Sequence, residues 1–116
     1  MKRISPRKRR LAKYLNDKGW VCEYCPEPLD IESATRDHKD PKYKGSSLQN
    51  NMAVCCKSCN SLKDDMSLLQ FRNFAKSKVS VLYKKGQNNR LSEQELQDLT
   101  KFRSIYNKVS KILANA

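Results

Sequence analysis

The stretch Cys22–Lys63, CEYCPEPLDIESATRDHKDPKYKGSSLQNNMAVCCKSCNSLK, decides how this chain folds. Two Cys-x-x-Cys pairs, Cys22/Cys25 and Cys56/Cys59, bracket the dipeptide Asp37-His38, and the second pair runs directly into Asn60. Each pair sets two soft ligands on one tight turn, and two such turns suit a tetrahedral zinc site with four sulfur ligands. The 30 residues between the pairs (26–55) exceed what a compact zinc ribbon needs, so the spacer reads as a folded insertion pinned at both ends. Neutral buried cysteines would leave the paired spacing unexplained, and a redox dithiol would leave the second pair unexplained. An iron–sulfur cluster is the metal alternative. Zinc here is expected to be structural, with no open position, and Cys55 reads as a small buried strand residue rather than a fifth ligand.

Metal support is needed on bulk grounds. The chain has 116 residues, of which 38% are hydrophobic, with a mean hydropathy of -0.83. A core built from so little apolar surface is marginal without a staple. A single domain is expected, divided into a basic N-terminal helix (1–19), a zinc-stabilised core (20–66) and a helical extension (67–116). Five cysteines argue against a closed disulfide framework. No apolar run is long enough for a membrane span, and the basic N-terminus is not followed by the apolar stretch of a signal peptide. An intracellular, cytoplasmic setting is expected, in a bacterial, phage-infected or host cell; the N-terminus also has the composition of a nuclear-targeting signal.

The net charge is +12, from 24 basic and 12 acidic residues. Such an excess favours a polyanionic partner, because each neutralised phosphate releases condensed counterions. Residues 1–19 hold Lys2, Arg3, Arg7, Lys8, Arg9, Arg10, Lys13 and Lys18 against Asp17 alone. Arg7, Lys8, Arg9 and Arg10 are accordingly expected to grip nucleic-acid phosphates.

Local signals place the motifs. Ser5-Pro6 is a hydroxyl N-cap followed by a proline, so a helix is expected over 6–18, stopped by Gly19. Pro26 and Pro28 exclude a long helix after Trp20, which is expected in the core. Strands are expected over 33–38 and 51–55, joined by a polar loop with Pro41, Gly45, Ser46 and Ser47. A helix is expected from Lys57 through Cys59, Asn60 and Lys63, and another over 67–84. The run Gly86-Gln87-Asn88-Asn89 reads as a break. Ser92 and Glu95 then form a capping box for a helix to about residue 113. Leu99, Phe102, Tyr106, Val109 and Leu113 make a seam on it, read as packing within the chain in preference to a homodimer or larger-complex contact.

His38 is the only histidine in the chain. Phosphodiester hydrolysis needs a base for water, positive charge on the phosphate and stabilisation of the leaving oxygen. An imidazole, with an unperturbed pKa of about 6.5, can be that base near neutrality. A hard divalent ion can supply the rest, held by a carboxylate and an amide oxygen of the kind Asp37 and Asn60 offer. Successive strand residues point to opposite faces, so Asp37 and His38 can share a site only where the strand ends. Lys39-Asp40-Pro41 supplies that ending.

The pattern Cys22-x-x-Cys25, Asp37-His38-x-x-Pro41, Asn51, Cys56-x-x-Cys59-Asn60-x-x-Lys63 resembles the HNH endonucleases with a zinc knuckle. The resemblance implies an α+β fold with a ββα-metal core. It implies DNA as partner, with Mg²⁺ or Mn²⁺ for catalysis beside structural Zn²⁺. Asp37 and Asn60 would be the ligands of the catalytic ion, His38 the general base, and Asn51 the residue bracing the inter-strand loop. Pro26 stands where glycine is frequent, Lys39 where an apolar residue is common, and Asn50 beside Asn51 leaves room for a one-residue slip. Arg36, Lys39, Lys42, Lys44 and Lys63 are candidate phosphate contacts. Tyr24 and Tyr43 could stack on a base but read better as packing beside the knuckle. Two rivals remain open: a non-catalytic zinc module that binds nucleic acid, and a nuclease subunit of a larger phage or repair complex.

Overall fold

A computed structural model describes residues 5–40 and 51–115. The inter-strand loop residues Pro41, Lys42, Tyr43, Lys44, Gly45, Ser46, Ser47 and Asn50, and the N-terminal Lys2 and Arg3, lie outside them. The protein is a small α+β fold with one two-stranded antiparallel sheet and four helices among the described residues.

Helix α1 (Pro6–Lys18) starts where Ser5 accepts the Lys8 amide at 3.2 Å and ends at Gly19, whose φ of +88° suits a residue without a Cβ. It buries only Leu11 and Leu15, one turn apart, and keeps its basic side chains in solvent. Strands β1 (Ala34–His38) and β2 (Met52–Cys56) pair with Asp37 opposite Ala53 and His38 opposite Met52. Ten strand residues make too small a sheet to stand alone. The knuckle covers the second edge of β2: the Glu23 amide donates to the Val54 carbonyl at 3.0 Å, and the Glu23 carboxylate accepts the Val54 amide at 2.6 Å. Every residue of β2 is consequently buried.

Helix α2 (Lys57–Lys63) follows β2 without a gap, capped by the Cys56 sulfur, which accepts the Cys59 amide. Helix α3 (Leu68–Asn88) and helix α4 (Glu93–Ala114) each begin with a complete capping box, Ser67/Gln70 and Ser92/Glu95. The break expected over Gly86–Asn89 falls at its far end, for α3 runs through Gly86 to Asn88 and is capped by Asn89. Glycine inside a helix costs only about 1 kcal/mol relative to alanine. A Cβ on Gly86 would lie 3.3 Å from Leu91 Cδ1, so the bare residue lets the α3–α4 connection close tightly.

Helix α4 folds back on α3, with Phe74 and Phe102 edge to face at 5.9 Å. Ile105 and Val109 are its fully buried residues, while Phe102, Tyr106, Ile112 and Leu113 pack half-buried around them. The buried arc is thus wider than the expected seam and centred nearer Ile105, because α4 faces both α3 and the knuckle. One contiguous core joins Leu11 and Leu15 of α1, the knuckle cysteines, β2, Phe71 of α3 and Ile105 of α4. Trp20, expected inside it, is 36% exposed, with its indole nitrogen on Asn16 Oδ1 at 2.9 Å. No helix of the described residues is long and apolar enough to cross a membrane.

Candidate metal centre and active site

The sulfurs of Cys22, Cys25, Cys56 and Cys59 lie within 4.8 Å of one another, all buried, and none is in a disulfide. Cys25 and Cys56 Sγ are 3.7 Å apart, close to the roughly 3.8 Å that separates two sulfurs around a tetrahedral ion with metal–sulfur bonds near 2.3 Å. Amides of Tyr24 and Cys56 point at Cys22 Sγ, both at 3.3 Å, and the Cys59 amide points at Cys56 Sγ at 3.4 Å. N–H donors of this kind favour sulfur as thiolate. Hydrogen bonds from Cys25 and Cys59 hold the Cys22 thiol far below its ordinary range, and the contact with Cys22 pushes Cys25 up. Four buried sulfurs so close together need a cation to ionise together, and the cluster is compatible with a metal ion such as zinc. Cys55 stays outside it, buried and held as a thiol by desolvation.

The end of β1 lies at the far end of the strand pair from Cys56, which pairs with Ala34, and Tyr24 and Lys63 reach it from the knuckle and α2. Asp37 is 6% exposed and His38 is exposed, as alternation along a strand requires. Helix α2 closes over the Asp37 side. Lys63, fully buried, sends its ammonium 3.0 Å from Asp37 Oδ2 and 2.6 Å from the His38 carbonyl oxygen. The Tyr24 hydroxyl donates to the same Oδ2 at 2.7 Å. Burial and the Asp37 charge push the Tyr24 phenol far above its ordinary range, so it stays a donor. Asn60 sits one turn before Lys63 on the same flank of α2. Beyond β1, Asn51 Oδ1 accepts the Asp40 amide at 3.0 Å, Asn51 Nδ2 donates to the Asp40 carbonyl at 2.9 Å, and the Asn51 carbonyl accepts the Lys39 amide at 2.7 Å. One side chain thereby holds the turn that follows His38.

The buried Asp37 carboxylate and the exposed His38 imidazole stand on consecutive residues, and Lys63 of α2 reaches both the carboxylate and the His38 carbonyl. Residues 22–65 match the HNH endonuclease family. The resemblance drawn from the motif therefore holds, and it points to a nuclease-type, nucleic-acid-related function. No curated protein and no solved structure matches the chain. Helices α1, α3 and α4 lie outside the HNH segment.

Around the HNH segment the basic residues divide. Arg7, Lys8, Arg9 and Arg10 are exposed on α1. Arg36 shares the His38 face of β1, and its guanidinium reaches the Arg7 carbonyl at 3.4 Å. Partial burial, then the charges of Arg7 and Arg10, lower the Arg36 pKa, so three like charges crowd one edge of the segment. Ser5, Arg7, Lys8 and Arg36 line a groove there of about 310 Å³. Lys8 also pairs with Glu32 at 3.0 Å. Lys39 is half-buried in the turn. Lys63 needs correction: with no exposed surface and its ammonium on Asp37, it cannot be a surface phosphate contact.

Three contacts escaped the sequence reading. Tyr24 reaches Asp37 besides packing on Phe71, with ring centroids 5.4 Å apart. Glu23 links three elements, since Tyr14 of α1 donates to both its carboxylate oxygens at 3.0 and 2.9 Å. Lys108 of α4 donates to the Cys22 and Cys25 carbonyls at 2.7 and 2.8 Å. None of the three had a local signal; only Lys63 did, through the Asn60-x-x-Lys63 spacing, because residues three apart share a helix flank.

Proposed function

We propose that the protein is a zinc-stabilised, metal-dependent HNH endonuclease that hydrolyses DNA phosphodiester bonds. The observation that carries this reading is the junction at the end of β1. There a buried acid and an exposed imidazole stand on consecutive residues, and Lys63 of α2, one turn after Asn60, reaches the acid and the His38 carbonyl. Structural zinc would sit on Cys22, Cys25, Cys56 and Cys59. The hard oxygens of Asp37 and Asn60 fit Mg²⁺ or Mn²⁺, which bind through one or two protein oxygens with water and substrate completing the shell. Such an ion, when bound, stabilises charge on the leaving oxygen.

His38 acts as general base, its ring nitrogen taking a proton from water as the water oxygen bonds to phosphorus. The P–O3′ bond breaks in line and the departing 3′-oxygen takes a proton from water, leaving a 5′-phosphate and a 3′-hydroxyl as the family resemblance implies. Asn51 keeps the turn after His38 from drifting. Arg36 and the exposed cations of α1 hold the flanking phosphates and contribute affinity without sequence choice. Nicking of supercoiled plasmid by zinc-loaded protein with Mg²⁺ or Mn²⁺ tests the reading. Inactivity on duplex, branched and single-stranded DNA with every divalent ion, together with retained DNA binding, would instead support a non-catalytic binding module.

A further inference from the structure

Lys63 poses a question that the proposed mechanism leaves unanswered. A lysine ammonium has donors and no acceptor, so it cannot ligate a cation. Yet it is fully buried at the carboxylate that would hold one. Both described contacts of Asp37, from Lys63 at 3.0 Å and Tyr24 at 2.7 Å, fall on Oδ2. An oxygen that accepts a charged donor and a phenol together has little left to offer a metal. The carboxylate also cannot swing about its last bond without breaking both contacts. Lys63 in addition grips the His38 carbonyl at 2.6 Å, which fixes the last peptide of β1.

We infer that Lys63 and Tyr24 are positioning residues: they pin Asp37 through Oδ2, so that Oδ1 is the oxygen presented to a divalent cation, and Lys63 holds the backbone on which His38 is mounted. The inference rests on the proposed nuclease only for its activity readout. Its binding readout is independent. If Lys63 merely neutralised a buried acid, its removal would tighten cation binding by charge alone, and the charge-neutral Tyr24→Phe would leave cation affinity per folded molecule as it was.

Zinc-loaded wild type, Asp37→Asn, Tyr24→Phe and Lys63→Met are compared by Mn²⁺ titration, followed by electron paramagnetic resonance, and by plasmid nicking. Asp37→Asn abolishes the Mn²⁺ site. Lys63→Met removes a positive charge beside the cation and tightens Mn²⁺ binding by roughly tenfold. It also lowers kcat, while KM for DNA stays unchanged because the side chain does not reach the surface. Tyr24→Phe keeps the ring against Phe71 and retains zinc, but weakens Mn²⁺ binding and lowers kcat, each about tenfold, the effect of one hydrogen bond to a charged group.

Wild-type Mn²⁺ affinity and nicking rate in the substituted proteins would overturn the inference, as would a raised KM with a shallower salt dependence, the mark of a phosphate contact. Absence of a Mn²⁺ site that responds to Asp37→Asn would overturn it too. Should Lys63→Met fail to hold zinc, Tyr24→Phe decides. Should wild type bind Mn²⁺ and not nick DNA, the nuclease reading fails and the Mn²⁺ comparison alone decides the positioning claim.

Discussion

Asp37 and His38 are neighbours on the chain with opposite surroundings, and strand geometry is the cause. The acid turns into the interface with α2, where Tyr24 and Lys63 meet it; the imidazole turns out to solvent. Residue-level chemistry of this kind was legible where the backbone enforces it. Alternation along β1 separates the two side chains, and the strand has to end for them to cooperate. It was not legible where a long side chain chooses its own partner. Lys63 reads as one cation among many in a basic chain, and only the closed fold shows its ammonium on a buried carboxylate. Asn51 makes the corresponding prediction. Replacing it with alanine removes its two side-chain hydrogen bonds to the Asp40 backbone, and is expected to cost about 1–3 kcal/mol. Chemical denaturation would register the destabilisation, and nicking should slow because the turn beyond His38 loosens. Unchanged stability and rate would show the turn to be self-supporting.

The elements were largely readable because each carries its own punctuation. Ser5-Pro6, Ser67/Gln70 and Ser92/Glu95 open their helices as hydroxyl caps should. The break over Gly86–Asn89 is real but sits at Asn89, beyond the expected helix end, since a glycine weakens a helix without ending it and packing of α3 on α4 outweighs that weakness. How the extension serves the metal site had no local signature at all. Lys108 lies more than eighty residues from the knuckle it braces, and nothing in its helical surroundings marks it. Its ammonium satisfies two knuckle carbonyls. Lys108→Met should leave both short of a partner, cost about 1–3 kcal/mol and speed zinc release to a chelator. Zinc release at the wild-type rate would mean that α4 merely lies beside the knuckle.

At the scale of the whole molecule, one core runs from α1 through the sulfur cluster to α4. Removing the metal should therefore be felt everywhere. Cys56→Ser, or prolonged chelation, is expected to melt the helices together with the sheet, followed by circular dichroism. Persistence of α3 and α4 with an unchanged transition would detach them from the metal centre. The basic edge has a separate readout. Arg7→Gln with Arg10→Gln should weaken DNA binding and reduce the slope of log K against log salt by about 0.9 for each phosphate no longer neutralised. Cleavage chemistry should be untouched, and an unchanged slope would remove α1 from the interface. The central claim is that the end of β1 is a hydrolytic site, and nicking of supercoiled plasmid by zinc-loaded wild type and His38→Ala tests it most directly. His38 is exposed, so the substitution should spare zinc content and melting temperature while slowing nicking on the order of 10²–10⁴-fold. A folded His38→Ala protein that nicks as fast as wild type would contradict the account.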